Sequence, residues 1–155
     1  MAKRAGVIGH PLGHSISPAI FKAAFEAAGI DATYEPWDTE PDVLEGRIHA
    51  LRTADFLGAN ITIPHKTAVV PLLDGASELA TKAGAVNTIV HSDGKLIGHN
   101  TDVAGFARSL REDAGFDPKG KRTMLLGSGG AARAVALALM DGHASVIYVV
   151  ARQPR

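Results

Sequence analysis

The chain contains no cysteine, which excludes a disulfide framework, a thiolate metal site and a cysteine nucleophile, and suits the cytoplasm. It has no surplus of either charge, with sixteen Lys and Arg against sixteen Asp and Glu. A sequence-independent nucleic-acid binder or a polybasic membrane binder needs a positive excess, so neither nucleic acid nor membrane is expected as a partner. Long apolar runs are missing too. The short stretch after Lys3 and Arg4 is interrupted by Gly9, His10 and Pro11, too early for a signal peptide's core, and no run approaches membrane-spanning length. Aromatics are sparse, and Trp37 and the phenylalanines read as core or partner surface. What remains is 155 residues, 46% of them hydrophobic, enough for one ordinary domain or two small ones. The expectation is a soluble, cytoplasmic globular protein.

Residues 58–66, Gly-Ala-Asn-Ile-Thr-Ile-Pro-His-Lys, organise the rest. As a strand, their period of two puts Asn60 and Thr62 on one face and Ile61 and Ile63 on the other. Pro64 cannot donate to a sheet ladder and stops the strand, which leaves Lys66 in the first turn of whatever follows. A helix start disfavours a cation, so a lysine there asks for a reason. One is that ligands of open α/β sheets sit just outside the carboxyl ends of strands. The competing reading is a solvated lysine beside a proline turn.

Residues 5–8 form a short apolar strand, followed by a loop of glycine, histidine and serine. Ser17-Pro18 then reads as an N-cap and first-turn proline, with Ile20, Phe21, Ala24, Phe25 and Ala28 on one buried helical face until Gly29. Residues 32–37 are a second strand, and Thr39-Glu40-Pro41-Asp42 starts a helix over 43–52. A short helix over 77–82 is closed by Gly84, and 86–90 alternates as a strand. The Ser92-Asp93-Gly94 turn returns 95–97 antiparallel. Asn100-Thr101-Asp102 opens another helix, with Val103, Phe106, Ala107 and Leu110 inward and Gly115 beyond its end.

From Thr123 the texture changes to a strand, the glycine loop Gly127-Ser128-Gly129-Gly130-Ala131-Ala132, an alanine-rich helix to Met140, and a strand over 146–150. Gly127, Gly129 and Ala132 satisfy the G-x-G-x-x-G/A dinucleotide pattern, in which small residues let the backbone approach a pyrophosphate at a helix N-terminus. A glycine turn that only packs helix on sheet is the alternative. After the last strand, where an NAD site places a carboxylate for the ribose, the chain has Arg152. A guanidinium suits a 2′-phosphate, so NADP is expected over NAD, against the alternative of a solvent-facing arginine.

In this order and spacing, the motifs Gly9-His10-Pro11-Leu12-Gly13-His14-Ser15-Ile16-Ser17-Pro18, Asn60-Ile61-Thr62-Ile63-Pro64-His65-Lys66, Ala85-Val86-Asn87-Thr88, Gly98-His99-Asn100-Thr101-Asp102 and Gly127-Ser128-Gly129-Gly130-Ala131-Ala132-Arg133 resemble the shikimate dehydrogenase family. The resemblance implies an α/β substrate-binding and catalytic domain with a mostly parallel sheet over 1–102, then a linker helix and the first βαβ unit of a Rossmann NADP-binding domain over 103–155. It implies reversible hydride transfer between NADPH and 3-dehydroshikimate, giving shikimate, in the biosynthesis of chorismate and the aromatic amino acids. Its members are monomers or homodimers.

Carried over by motif, Ser15 and Ser17 would donate to the substrate carboxylate, and Asn60, Thr62, Asn87 and Thr101 would hold the ring hydroxyls. Capping competes with this role at Ser17. Lys66 and Asp102 would form the catalytic pair, fixing the reacting oxygen and sharing its proton; the competing role of Asp102 is the N-cap of its helix. Gly127, Ser128, Gly129, Gly130, Ala131 and Arg152 would hold NADP. Arg133 faces either phosphate or solvent. His10, His14 and His65 lack the spacing and third partner of a metal site, so no metal is expected.

The chain departs from the family in supplying only two strands of the dinucleotide fold, and in carrying Ala151-Arg152 where members usually have Asn-Arg. It therefore reads as the front portion of such an enzyme, with exposed sheet edges and helix faces that favour self-association. The alternatives are a substrate-binding or folding fragment without turnover, and a quinate or aminoshikimate dehydrogenase.

Overall fold

A computed structural model describes residues 2–13 and 15–152; His14 of the serine loop lies outside the described residues. Chain order runs β1 (Lys3–Gly9), α1 (Ser17–Ala28), β2 (Ala32–Asp38), a 3-10 turn (Pro41–Val43), α2 (Leu44–Ala50), β3 (Phe56–Ile61), a second 3-10 turn (Val70–Leu72), β4 (Gly75–Ala76), α3 (Glu78–Ala83), β5 (Thr88–Ser92), β6 (Lys95–His99), α4 (Asp102–Glu112), β7 (Arg122–Leu126), α5 (Gly130–Asp141) and β8 (Val146–Val150). The first six strands make one sheet in the order β2-β1-β3-β5-β6-β4, and β7 and β8 pair separately. β1 is parallel to β2 and β3, β4 is parallel to β6, and the β5–β6 hairpin enters antiparallel to β3. This is the mixed, mostly parallel α/β architecture expected. Among the described residues no helix is long and apolar enough to cross a membrane.

The core lies between this sheet and α2 with α3. Ile8, Trp37, Ile61, Ile89 and Leu96 from the strands meet Leu44, Ile48, Leu51 and Ala80 from the helical side. A second cluster joins α4 to α5 through Val103, Ala134 and Ala138, with Leu79 of α3 against it. The β5–β6 hairpin turns through Asp93 and Gly94 at φ 52° and 77°. Two successive left-handed residues match the twist of the strands they join, and only Gly and short polar residues take them cheaply.

Several local expectations are corrected. Ser17 is the first residue of α1 rather than a side-chain cap; its own N–H donates to Ser15 Oγ at 3.3 Å. No residue of α1 is buried, and Ile20 on the predicted inner face is 56% exposed. Thr39 does not cap α2, because its hydroxyl donates back to the Trp37 carbonyl at 2.8 Å and a 3-10 turn intervenes before Leu44. Ile63 is 71% exposed instead of sharing the buried face of Ile61, since β3 ends before it. Lys66 follows in an irregular turn rather than in the first turn of a helix of its own.

Candidate active site

The turn after β3 is held from both sides. Thr62 N–H donates to the Ile8 carbonyl at 2.9 Å and His10 N–H to the Ile63 carbonyl at 3.0 Å, which extends the β1–β3 contact past the end of the strand. His65, almost fully buried, donates from Nε2 to the Thr39 carbonyl at 2.7 Å and so pins the turn to the segment after β2. Val86 N–H donates to the Lys66 carbonyl at 2.7 Å. Lys66 is thus fixed at its backbone while its ammonium stays free to reach outward.

That ammonium donates to Asp102 Oδ2 at 2.7 Å, with the two side chains 17% and 31% exposed. Asn87 Nδ2 donates to the other carboxylate oxygen at 2.8 Å and to Thr101 Oγ1 at 2.7 Å. Asp102 is available for this because another residue caps α4. Asn100, buried, accepts from the N–H groups of Asp102 and Val103 at 3.0 and 3.3 Å and donates from Nδ2 to the Ala85 carbonyl at 2.9 Å. The capping alternative for Asp102 therefore falls away.

Asn60 completes the polar row. Its Oδ1 accepts from the Tyr34 hydroxyl at 2.7 Å and its Nδ2 donates to Thr88 Oγ1 at 3.1 Å. Burial pushes the Tyr34 phenol up to about 12, with the neighbouring Ser17 hydroxyl opposing, so its O–H is intact at neutral pH and donates. A cleft of about 420 Å³ is lined by Ser15, Ser17 and Thr62 over an apolar floor of Val7, Pro11, Leu12 and Ile63. The structure thus brings Lys66, Asp102, Asn87 and Thr101 into one hydrogen-bonded cluster, and Ser15, Ser17 and Thr62 into one cleft. Asn60 is tied to the cluster through Thr88 and, on its other side, to Tyr34, whose phenol neighbours Ser17 of the cleft.

The glycine loop closes onto the same cluster. Gly127, at φ 112°, follows β7, its N–H donating to the Val150 carbonyl at 2.8 Å; Gly129 precedes α5 and Gly130 opens it. A Cβ on Gly130 would stand 2.5 Å from Lys66 Cβ. Only glycine lets α5 begin this close to the lysine stem. Arg133, on the next turn, lies over the end of α3, where a Cβ on Gly84 would meet its Nη1 at 2.8 Å. Arg152 is exposed, two residues past β8.

Sequence reasoning missed Asn100, Tyr34, Thr88 and His65 as structural partners of the site. Asn100, Thr88 and His65 lie inside the recognised motifs, and the preference of Asn for cap positions is the available signal for the first. Tyr34 carries no local signal, since its partner is 26 residues away.

Residues 7–89 match the family model described as "Shikimate dehydrogenase substrate binding domain". The chain is 48% identical over 148 residues to the shikimate dehydrogenase (NADP(+)) of Moorella thermoacetica, covering 96% of this chain and 50% of that protein. It is 47% identical over 147 residues to that of Geobacter metallireducens, covering 95% and 51%. Its fold matches the crystal structure of shikimate dehydrogenase from Aquifex aeolicus with a TM-score of 0.91 at 36% identity, over 98% of this chain and 56% of the other. The shikimate 5-dehydrogenase of Thermus thermophilus, solved in complex with NADP(H) and shikimate, matches with a TM-score of 0.85 at 43% identity, over 98% and 57%. The chain spans about half the length of the curated relatives it matches.

Proposed function

Because the chain belongs to the family of the shikimate dehydrogenase substrate-binding domain, we propose that it carries the substrate site and catalytic pair of a cytoplasmic NADP-dependent shikimate dehydrogenase, which interconverts 3-dehydroshikimate and shikimate. The observation that carries this reading is the Lys66–Asp102 pair at 2.7 Å, braced by Asn87 and relieved of capping by Asn100. Oxidising a secondary alcohol needs a group at its oxygen to take the proton, and the reverse needs a donor at the same place. In reduction the Lys66 ammonium gives a proton to the carbonyl oxygen and becomes the amine; in oxidation the neutral amine takes the hydroxyl proton, with Asp102 Oδ2 holding Nζ in place. Ser15 and Ser17 receive the substrate carboxylate in the cleft at the start of α1. Asn60, Thr62, Asn87 and Thr101 receive the ring hydroxyls; a site of such groups rejects analogues that lack a hydroxyl, because its own polar atoms are left unpaired.

The glycine loop fits a dinucleotide. Gly127 in the left-handed region and Gly129 and Gly130 at the start of α5 leave the backbone open to a pyrophosphate, with Ser128 and Ala131 beside it. Arg152 is the candidate for a 2′-phosphate. NADP supplies the hydride acceptor and donor when bound. The substrate domain is assigned to 1–102 and the linker helix with the first cofactor unit to 103–155.

Saturation-transfer NMR on the chain with shikimate, quinate and NADP, each alone, tests the reading. Shikimate signal is expected, and Ser15→Ala is expected to weaken binding by about tenfold, the scale of one lost charge-assisted hydrogen bond. A folded chain silent to shikimate overturns the proposal, and a stronger response to quinate moves the substrate to that class. The exposed apolar residues Leu126, Val149 and Val150 favour a second reading, a substrate-binding fragment without turnover. Shikimate binding without reduction of NADP would support it.

A further inference from the structure

The polar row at the site has a direction that can be read from its ends. The Thr101 backbone N–H can only donate, and it reaches Asn87 Oδ1 at 2.9 Å; the Asp102 carboxylate accepts from Asn87 Nδ2 at 2.8 Å. Both ends of the Asn87 amide are therefore assigned without ambiguity. Its oxygen must be the acceptor for the Thr88 hydroxyl at 3.1 Å, which engages the only hydrogen that hydroxyl has. The Thr88 oxygen is left to accept, and it does so from Asn60 Nδ2 at 3.1 Å. Asn60 Oδ1 then faces Tyr34, whose protonated phenol donates at 2.7 Å. Turning the Asn60 amide over would set its oxygen against the Thr88 oxygen with no hydrogen between them.

Tyr34 is itself held in place. Its ring stacks on Phe21 of α1, centroids 4.1 Å apart and planes 6° from parallel. Among the described residues, the second Asn60 amide hydrogen has only the Asn87 carbonyl at 3.5 Å, too long to engage it fully.

We propose that Tyr34 and Thr88 are positioning residues for the ring-hydroxyl part of the site: with Asn87 they lock the Asn60 amide in one orientation, so that it presents an N–H donor to a substrate hydroxyl. This rests on reading the cleft as a shikimate site. Neither residue touches substrate in this scheme; Thr88 acts through Asn60, and Tyr34 acts through Asn60 and neighbours the Ser17 hydroxyl as well.

The test uses the whole chain, with Tyr34→Phe, Thr88→Val and Thr88→Ser. In the free protein the Asn60 side-chain amide ¹H–¹⁵N resonances are expected to move in Tyr34→Phe and Thr88→Val, with most of the backbone spectrum unchanged. Shikimate titrations are expected to weaken roughly five- to tenfold in those two variants and to stay within about twofold in Thr88→Ser, which keeps the hydroxyl. Unmoved Asn60 resonances in Tyr34→Phe, or a Thr88→Ser variant as weak as Thr88→Val, would overturn the inference. If the wild-type chain does not bind shikimate, the substrate reading falls, while the resonances of the free protein still decide the positioning inference.

Discussion

At Asn100 one buried side chain satisfies three backbone groups: the N–H groups of Asp102 and Val103 and the carbonyl of Ala85. Asn100→Ala leaves all three without a partner, so it is expected to lower stability by about 2–3 kcal/mol in urea denaturation, a lost cap plus an unsatisfied carbonyl. Asp102→Asn leaves that cap in place and should cost less. An Asn100→Ala variant as stable as wild type would show that Asn100 does not cap α4. The residues meeting here were largely legible in the sequence, because each sits in a motif of polar groups interrupting an apolar run, as Asn60 and Thr62 do beside Ile61. Which of two neighbouring cap formers does the capping was not legible. Asn100 and Asp102 have similar preferences, and the choice is made by the Ala85 carbonyl, which only the fold brings near.

Among the elements, α3 was read correctly, between Ser77, whose Oγ accepts from Ala80 N–H at 3.3 Å, and Gly84 at φ 58°. The buried face assigned to α1 was not. Periodicity tells which side of a helix is apolar, and not whether anything covers it. Long-range side-chain ties escaped as well. Arg52, just past α2, pairs with Asp74, and Asp74 Oδ2 also accepts from Leu96 N–H of β6 at 2.7 Å. The Arg52 guanidinium, then the Leu96 N–H, hold the Asp74 carboxyl below its usual range. A carboxylate whose folded pKa is depressed contributes stability that is present above its unfolded value, near 4, and is lost as pH falls through the folded one. Asp74→Asn is therefore expected to be less stable than wild type at pH 7, with the gap narrowing as pH drops below about 4. Urea midpoints across that range check it; a gap independent of pH would show that the carboxylate charge is not the cause.

In the molecule as a whole, two sheets meet through α3, α4 and α5, and the smaller one is poorly covered. Met124, Leu126, Tyr148, Val149 and Val150 of β7 and β8 are between 44% and 77% exposed. Ile16, Ile20 and Ile63 are exposed as well, and these apolar side chains are candidates for contact between copies of the chain. Sedimentation velocity over a hundredfold concentration range is expected to show mass rising with concentration, and a constant monomer would count against it. The polar row has a further consequence, for the order in which this protein comes to exist. Tyr34, Asn60, Lys66, Thr88 and Asp102 arrive on segments that are neighbours only once the strand order β2-β1-β3-β5-β6 is complete. Contacts between distant segments are the slow ones to close. The β5–β6 hairpin can bring Asn87, Thr101 and Asp102 together locally, whereas Tyr34, Asn60 and Lys66 join them only when the rest of the sheet closes, so binding competence waits on the long-range pairing.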